Sequence, residues 1–168
     1  MGHLISVDTA LKLTRDFKKE KKNVVFTHGA FDLFHAGHSL FLNKSKNAGD
    51  ILIVGLDPDE NVRKYKGGLR PIIKQKHRAE MLTNHTAVDY LFIIRRLNNL
   101  VDEYFLNFYE KMKPTQVTVG KNFSFQDRKD KKLKNSKIKE IEAEVTATTK
   151  IITSILNGYQ IAQSYEQI

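Results

Sequence analysis

Short apolar runs and amphipathic segments alternate along most of the chain. Four of the runs predict buried strands, at Val24–Thr27, Ile51–Leu56, Tyr90–Ile94 and Gln116–Val119. The run ILIVGL at Ile51–Leu56 is continuous rather than alternating, which is typical of a strand buried on both faces of a parallel sheet. A further segment, Lys139–Val145, alternates between polar and apolar residues and predicts an edge strand.

The amphipathic segments between these runs predict helices. They are Thr9–Lys19, Ala36–Ala48, Lys74–Leu82, Leu100–Lys113 and Thr148–Asn157. Gly49 and Gly158 follow two of these segments and are predicted to end them, because glycine readily adopts the left-handed turn that closes a helix. Thr148 is predicted to cap the last helix through its side-chain oxygen.

The connections between these elements are predicted to be mostly irregular. Asp57–Asn61 predicts a turn or a short helix, and the glycine-rich segment KYKGGLRP (64–71) predicts a loop rather than regular helix. Residues 121–137 predict a mobile loop or a poorly packed helix. The alternation of strands and helices predicts a doubly wound α/β fold with a mainly parallel sheet and helices on both faces.

The size and composition of the chain fit one domain with its own core. The chain has 168 residues, of which 40% are apolar. We expect a single domain over 1–168, with a helical lead-in at 1–22 and a tail at 159–168. The chain has no cysteine, which excludes disulfides and thiolate metal sites. Because no signal-like or membrane-spanning apolar run is present, we expect a cytoplasmic protein.

The chain is strongly basic, with a formal net charge of +9. The densest basic runs are KKEKKN (18–23) and RKDKKLKNSKIK (128–139). Such runs either hold nucleic acid or acidic lipid, or form a solvated surface of which a part binds phosphorylated small molecules. Neither run carries aromatic residues at a spacing that suits base stacking, which makes nucleic acid an unfavoured partner.

The stretch THGAFDLFHAGH, from Thr27 to His38, places three histidines and two glycines between a predicted strand and the next helix. If that helix begins at Ala36, its free N–H groups and positive dipole end attract phosphate. His35 and His38 then share a face, and imidazoles donate hydrogen bonds to phosphate oxygens. A zinc site formed by the three histidines, with Asp32 as a carboxylate ligand, is the alternative.

The same stretch resembles the G-x-F-D-x-x-H-x-G-H signature of the cytidylyltransferase-like nucleotidyltransferases. The matching residues are Gly29, Phe31, Asp32, His35, Gly37 and His38. The resemblance implies a Rossmann-like α/β fold and transfer of a nucleoside monophosphate from a nucleoside triphosphate to a phosphate-bearing acceptor, with release of pyrophosphate. It also implies that His35 and His38 stabilise the departing pyrophosphate and that Asp32 braces the turn through backbone N–H groups.

Further matches resemble the bacterial heptose-1-phosphate adenylyltransferases. RKYKGGLRPI (63–72) is similar to their K-G-x-x-R-P loop, KHRAEML (76–82) to their next helix, and VTATTKII (145–152) to their S-T-T-K-I segment. The resemblance implies catalytic roles for Lys66 and Arg78, and acceptor contacts for Lys66 and Arg70. The nucleotide contacts that it implies are Thr27, His28, Gly29, Ala30, Phe31, Gly37, Gly120, Asn122, Thr148 and Thr149.

A further segment differs from the heptose enzymes and bears on the identity of the acceptor. VTVGKNFSF (117–125) is more similar to the G-x-x-F-x-F segment of flavin-adenine-dinucleotide synthetases than to the heptose enzymes. The leading interpretation is an adenylyltransferase that acts on a sugar phosphate or related phosphate. The alternatives are a cytidylyltransferase acting on glycerol phosphate or another alcohol phosphate, a flavin-nucleotide adenylyltransferase, and a non-catalytic nucleotide- or RNA-binding module. The resemblance implies ATP or CTP as substrate, Mg²⁺ bound mainly through the nucleotide phosphates rather than by protein side chains, and a homodimer.

Overall fold

Six parallel strands form one sheet. The computed structural model describes residues 1–95, 108–121, 136–142 and 148–165, with side chains up to residue 159. The strands are β1 (His3–Leu4), β2 (Val24–Gly29), β3 (Ile51–Leu56), β4 (Tyr90–Ile93), β5 (Gln116–Gly120) and β6 (Lys137–Ile141). They lie in the order β1-β4-β3-β2-β5-β6, and each described pair of neighbours is parallel. The predicted parallel sheet is confirmed.

Helices cover both faces of this sheet. They are α1 (Val7–Lys19), α2 (Ala36–Lys46), α3 (Asp59–Lys66), α4 (Gln75–Thr83), α5 (residues 108–112) and α6 (Thr148–Tyr165). On one face, α1 and α5 contribute Ala10 and Tyr109 to a buried cluster around Phe26. On the other face, α2 and α4 contribute Leu42 and Leu82 to a second cluster. The two clusters confirm the doubly wound arrangement, since the central strands β2 and β3 between them are buried along most of their length.

Two predicted helix boundaries were wrong. The helix α3 begins at Asp59 and continues to Lys66, so the first part of the predicted loop 64–71 is helical. Acidic residues in its first turn and basic residues in its last turn complement the helix dipole, and Gly67 ends it with a φ of 95°. The last helix does not end before Gly158, which lies inside α6 in open space. A glycine inside a helix costs only about 1 kcal/mol, so it does not by itself stop one.

The other predicted elements agree with the structure to within about two residues where it describes them. The helix α2 ends at Lys46 rather than Ala48, and Gly49 does not adopt the left-handed turn predicted for it. The predicted edge strand is β6, and it lies at 137–141 rather than 139–145. Most of the predicted loop 121–137 and the start of the predicted helix 100–113 lie outside the described residues. Within the described part of the chain, no helix is both long and apolar enough to cross a bilayer.

The order of the strands locates the edge at which a ligand is expected. From β2 the chain builds the sheet outward through β3 and β4, and then returns to the other side of β2 with β5. This reversal is a switch point, and ligands of open α/β sheets bind outside the carboxyl ends of the strands beside it. Those ends are Gly29 of β2 and Gly120 of β5.

Candidate functional site

His35 caps the helix that starts beside the switch point. Its backbone is extended, with φ −136° and ψ 172°, and its Nδ1 accepts a hydrogen bond from the N–H of Gly37 at 3.1 Å. Because Nδ1 accepts, the proton of the neutral ring is on Nε2, which is therefore a hydrogen-bond donor. The ring of His38 stacks on that of His35, with centroids 3.9 Å apart and an interplanar angle of 24°. The predicted shared face of the two histidines is confirmed.

The ring of His38 is enclosed by aromatic side chains. Phe31 meets it edge-on at 5.5 Å between centroids, and Phe34 lies at 5.6 Å. Burial, and to a lesser extent the nearby His35 and Lys66, lowers the pKa of His38 to about 4, while Asp32 opposes this shift. Its Nδ1 is buried with no hydrogen-bond partner among the described residues. Burial also lowers the pKa of His35, so the free protein holds both rings uncharged at neutral pH.

Asp32 braces the turn and joins it to the segment before α4. Its carboxylate is 1% exposed and accepts hydrogen bonds from the N–H groups of Leu33, Ile72 and Ile73 at 3.1, 2.9 and 2.9 Å. Arg70 donates from Nε to the same carboxylate at 2.6 Å. Burial alone would raise the pKa of Asp32, but the backbone N–H groups and Arg70 outweigh it and lower the pKa. The bracing through N–H groups predicted for Asp32 is confirmed.

The turn needs this bracing because two of its residues have a left-handed backbone conformation. Phe31 and Leu33 have φ values of 48° and 47°, which are uncommon for residues with a side chain. Each such residue costs on the order of 1–3 kcal/mol and persists only where the surrounding structure holds it. The hydrogen bonds of the Asp32 carboxylate supply that support, and so fix where the turn leads into α2.

Two cationic side chains lie near the histidine turn, Lys66 beside His38 and Arg70 on the carboxylate of Asp32. Lys66 ends α3 and stays accessible to solvent, while partial desolvation and the nearby Arg70 lower its pKa, and Asp32 and Asp57 oppose them. The Nη2 group of Arg70 is buried and has no hydrogen-bond partner among the described residues. Arg70 therefore has donor capacity left beyond its bond to Asp32, as a group that binds an anion needs.

Arg78 does not fit the catalytic role that the sequence predicts for it. It is fully buried, and its guanidinium donates to the carbonyl of Ile73 at 2.8 Å, to that of Asp57 at 2.9 Å, and to that of Ala30. It also pairs with the carboxylate of Asp59 at 2.7 Å. Since these acceptors occupy the planar fork, Arg78 holds three loops together instead of facing a ligand.

Several predicted nucleotide contacts also have their polar groups turned inward. The hydroxyl of Thr27 donates to the carbonyl of Thr118 at 2.9 Å, and the carbonyl of Ala30 accepts from Arg78. The side chain of His28 is 7% exposed and its Nδ1 lies 3.9 Å from Oδ1 of Asp57. The polar groups of these residues face other protein groups at the end of β2. The geometry therefore does not favour direct contacts between them and a phosphate.

The start of α6 reaches the same turn. The hydroxyl of Thr148 donates to the backbone carbonyl of Asp32 at 3.2 Å, and Thr149 is exposed beside it. Gly120 ends β5 with open space where a Cβ atom would stand. Asn122 lies outside the described residues. The structure therefore brings two helix starts, those of α2 and α6, to the carboxyl edge on which the ligand is expected.

Sequence reasoning missed two hydrogen-bonded pairs at this edge. Tyr65 donates its hydroxyl to Oδ2 of Asp57 at 2.7 Å, and Ser39 bonds Nε2 of His85 at 2.9 Å. The signal for Asp57 was present, because it is the first residue after a strand whose carboxyl end borders the switch point. No sequence signal indicated Ser39 and His85, which come together only through the packing of α2 beside the end of α4.

The described residues do not form a dedicated metal site. No group of three histidine or carboxylate side chains among them is arranged to hold a metal ion. The carboxylate of Asp32, the proposed oxygen ligand of a zinc site, is occupied by three backbone N–H groups and Arg70. This geometry favours an anion over a zinc ion as the ligand of the histidine pair.

The chain is similar in sequence to parts of longer bacterial proteins. It is 44% identical over 90 residues to a bifunctional protein HldE from Wolinella succinogenes, over 54% of this chain and 19% of that protein. It is 32% identical over 146 residues to the bifunctional protein HldE of Geobacter sulfurreducens, over 84% of this chain and 29% of that protein. The chain thus spans less than a third of the length of these relatives.

Solved structures share the fold at lower sequence identity. A lipopolysaccharide core biosynthesis protein from Thermoplasma volcanium superposes with a TM-score of 0.59 and 22% identity, over 75% of this chain and 99% of that one. A pantoate-beta-alanine ligase from Francisella tularensis superposes with a TM-score of 0.58 and 14% identity, over 87% and 69%. The family model described as cytidylyltransferase-like matches residues 26–162, which include the histidine turn, the Lys66 segment and most of α6. On this match and on the strand order and the turn that accompany it, the chain belongs to the cytidylyltransferase-like family.

Proposed function

We propose that the chain transfers a nucleoside monophosphate, AMP from ATP, to a sugar phosphate or a related phosphate, and releases pyrophosphate. The stacked pair of His35 and His38 at the start of α2 is the observation that carries this proposal. At this site the start of α2, two imidazoles, Lys66 and Arg70 come together at the carboxyl edge of the sheet. Such a group of donors suits a triphosphate, whose charge is spread over many oxygens.

The chemistry requires no nucleophile from the protein. An oxygen of the acceptor phosphate attacks the α-phosphorus in line, a new P–O bond forms, and the bond to the pyrophosphate breaks. The protein then contributes position and charge stabilisation. His35 donates from Nε2, His38 takes up charge as the phosphates approach, and Lys66 closes on them from the end of α3. The Mg²⁺ ion enters with the nucleotide as part of the substrate and neutralises phosphate charge.

The similarity to HldE proteins supports ATP and a sugar phosphate as the substrates. The family description supports CTP as the alternative nucleotide, with an alcohol phosphate as acceptor. A comparison of the four nucleoside triphosphates as substrates tests which nucleobase is used. We also propose that 1–168 acts as a single nucleotidyltransferase domain, as a homodimer, in the cytoplasm where nucleoside triphosphates are supplied.

A substrate matrix tests the proposal. The purified protein is incubated with each of the four nucleoside triphosphates and Mg²⁺, against a panel of sugar phosphates, alcohol phosphates and flavin mononucleotide. Pyrophosphate release that depends on both substrates is expected, with ATP and a sugar phosphate as the most active pair. Activity with CTP and an alcohol phosphate would support the alternative. Triphosphate binding without pyrophosphate release from any pair would contradict an enzymatic role.

A further inference from the structure

The segment 65–70, in which Lys66 ends α3, is held at both ends by buried carboxylates. At its start, the hydroxyl of Tyr65 donates to Oδ2 of Asp57 at 2.7 Å. At its end, Nε of Arg70 donates to Oδ2 of Asp32 at 2.6 Å. We propose that Lys66 contacts the triphosphate. It therefore lies in a short span between two clasps, by which we mean the Tyr65–Asp57 and the Arg70–Asp32 hydrogen bonds.

Both carboxylates belong to the rigid part of the fold. Asp57 follows β3 and is 5% exposed. Its N–H donates to the carbonyl of Gly29 at 3.0 Å, and its carbonyl accepts from Arg78 at 2.9 Å. The Tyr65 hydroxyl is thus attached to a residue that is itself bonded to the end of β2, next to the histidine turn.

Between the clasps little else holds the chain. Positions 67 and 68 are glycines, and nothing lies within 4 Å of a Cβ atom built on either one. Leu69 is 90% exposed. The N–H of Gly67 donates to the carbonyl of Arg63 at 3.0 Å, and that of Arg70 donates to the carbonyl of Gly67 at 3.0 Å. A segment with few buried contacts and a glycine backbone opens easily by local unfolding. The position of Lys66 therefore depends on the two clasps.

We propose that Tyr65 is a positioning residue that acts through Lys66, by tying the last turn of α3 to Asp57. The inference rests on the proposed function, in which Lys66 contacts the triphosphate. The ammonium of Lys66 also lies 5.9 Å from the centre of the Tyr65 ring, so the ring supports the side chain that its hydroxyl helps to place. Desolvation and the charge of Asp57 raise the pKa of Tyr65, so the hydroxyl remains a donor at every working pH.

A double-mutant cycle tests whether Tyr65 acts through Lys66. Tyr65→Phe removes the hydroxyl and keeps the ring, and we expect it to lower kcat about tenfold while the KM for the nucleotide changes little, because small misplacements of a catalytic group are costly. In a Lys66→Ala background, Tyr65→Phe should cause no further loss, since the group it positions is absent. Losses that multiply in the double variant would overturn the proposal.

Hydrogen exchange of residues 64–70 gives a second readout that needs no activity. Tyr65→Phe should accelerate exchange there and leave β2 and β3 unchanged. Thr9→Val, which removes an exposed hydroxyl that lies 2.8 Å from that of Ser6 at the start of α1, is the control and should change neither kcat nor exchange of residues 64–70. Unchanged exchange in Tyr65→Phe would overturn the clasp even if nucleotidyl transfer is confirmed. If no nucleotidyl transfer is found, faster exchange still establishes the clasp, while the proposed function fails by itself.

Discussion

His35 and His38 stack face to face with 3.9 Å between ring centroids, at the first turn of α2. Two charged imidazoles would repel each other at this distance, and burial already disfavours the charge on His38. The free site is therefore built to stay uncharged until an anion arrives. A bound triphosphate reverses this balance, because its negative charges stabilise a proton on the pair.

His38→Ala removes the more deeply buried member of this pair. We expect turnover to fall roughly 10²-fold or more, the scale observed when one charge-stabilising donor is lost. Steady-state rates of pyrophosphate release measure the effect. His77→Ala, which changes an exposed histidine on α4, is the control and should retain full activity. Near-normal turnover in His38→Ala would remove His38 from the mechanism.

The pKa of His38 is expected to rise on nucleotide binding. In the free protein it is about 4, and a triphosphate next to the ring should move it toward or above 6.5. Titration of the ring protons by NMR, with and without nucleotide, follows both states. A pKa of 6.5 or more in the free protein would contradict the buried, uncharged pair.

The lowered pKa of His38 in the free protein also makes the stability of the free protein depend on pH. Between about pH 4 and pH 6.5 the unfolded state binds a proton on His38 and the folded state does not, so the free energy of unfolding falls as the pH falls through this range. The lowered pKa values of His35 and His85 act in the same direction. Denaturant unfolding of the wild type and of His38→Gln separates the contribution of His38 from those of His35 and His85. The variant should lose less stability on acidification than the wild type. Equal losses would show that His38 carries no such shift.

Lys66→Ala should reduce turnover with the fold intact. The side chain lies at the end of α3, remains accessible to solvent, and supports no part of the core, so its loss should leave the melting temperature within a few degrees. Lys64→Ala, two residues earlier on the same helix, is the control. A cooperative loss of thermal stability in Lys66→Ala, with the remaining folded protein fully active, would instead make Lys66 structural.

Arg78→Ala should destabilise the protein, by about 3–5 kcal/mol, because it leaves the carboxylate of Asp59 and several buried carbonyls without their donor. Denaturant unfolding measures the loss. Arg63→Ala removes an exposed guanidinium whose contact to Glu60 is 3.9 Å long, and should change stability by less than about 1 kcal/mol. A stable but inactive Arg78→Ala variant would restore the catalytic role that the geometry speaks against.

The histidine turn was predictable because its geometry is local. A strand end, a helix start and a three-residue spacing are all contained between Thr27 and His38, and the resemblance of this stretch to a known signature adds the chemistry. The parallel direction of the strands followed from the alternation of elements, since parallel strands need crossover helices. The role of Asp32 was implied by the same resemblance, although its partners at Ile72 and Ile73 were not.

The position of Arg78 could not be read from the sequence. Its side chain binds the carbonyls of Ala30 and Asp57, which are 48 and 21 residues away along the chain. Nothing in the local pattern distinguishes an arginine that faces a phosphate from one that closes three loops. The end of α3 was missed because a helix that precedes two glycines can continue up to the first of them, and the flanking charges of α3 favour that continuation.

The fate of the nucleotide phosphates tests the central claim most directly. The protein is supplied with an active pair of substrates, with the nucleotide labelled either at the α-phosphate or at the γ-phosphate. We predict that the α-label appears in the acceptor product and the γ-label in pyrophosphate, and that His38→Ala suppresses both. A γ-label found in the acceptor or in orthophosphate, with the α-label left on a nucleoside diphosphate, would contradict nucleotidyl transfer.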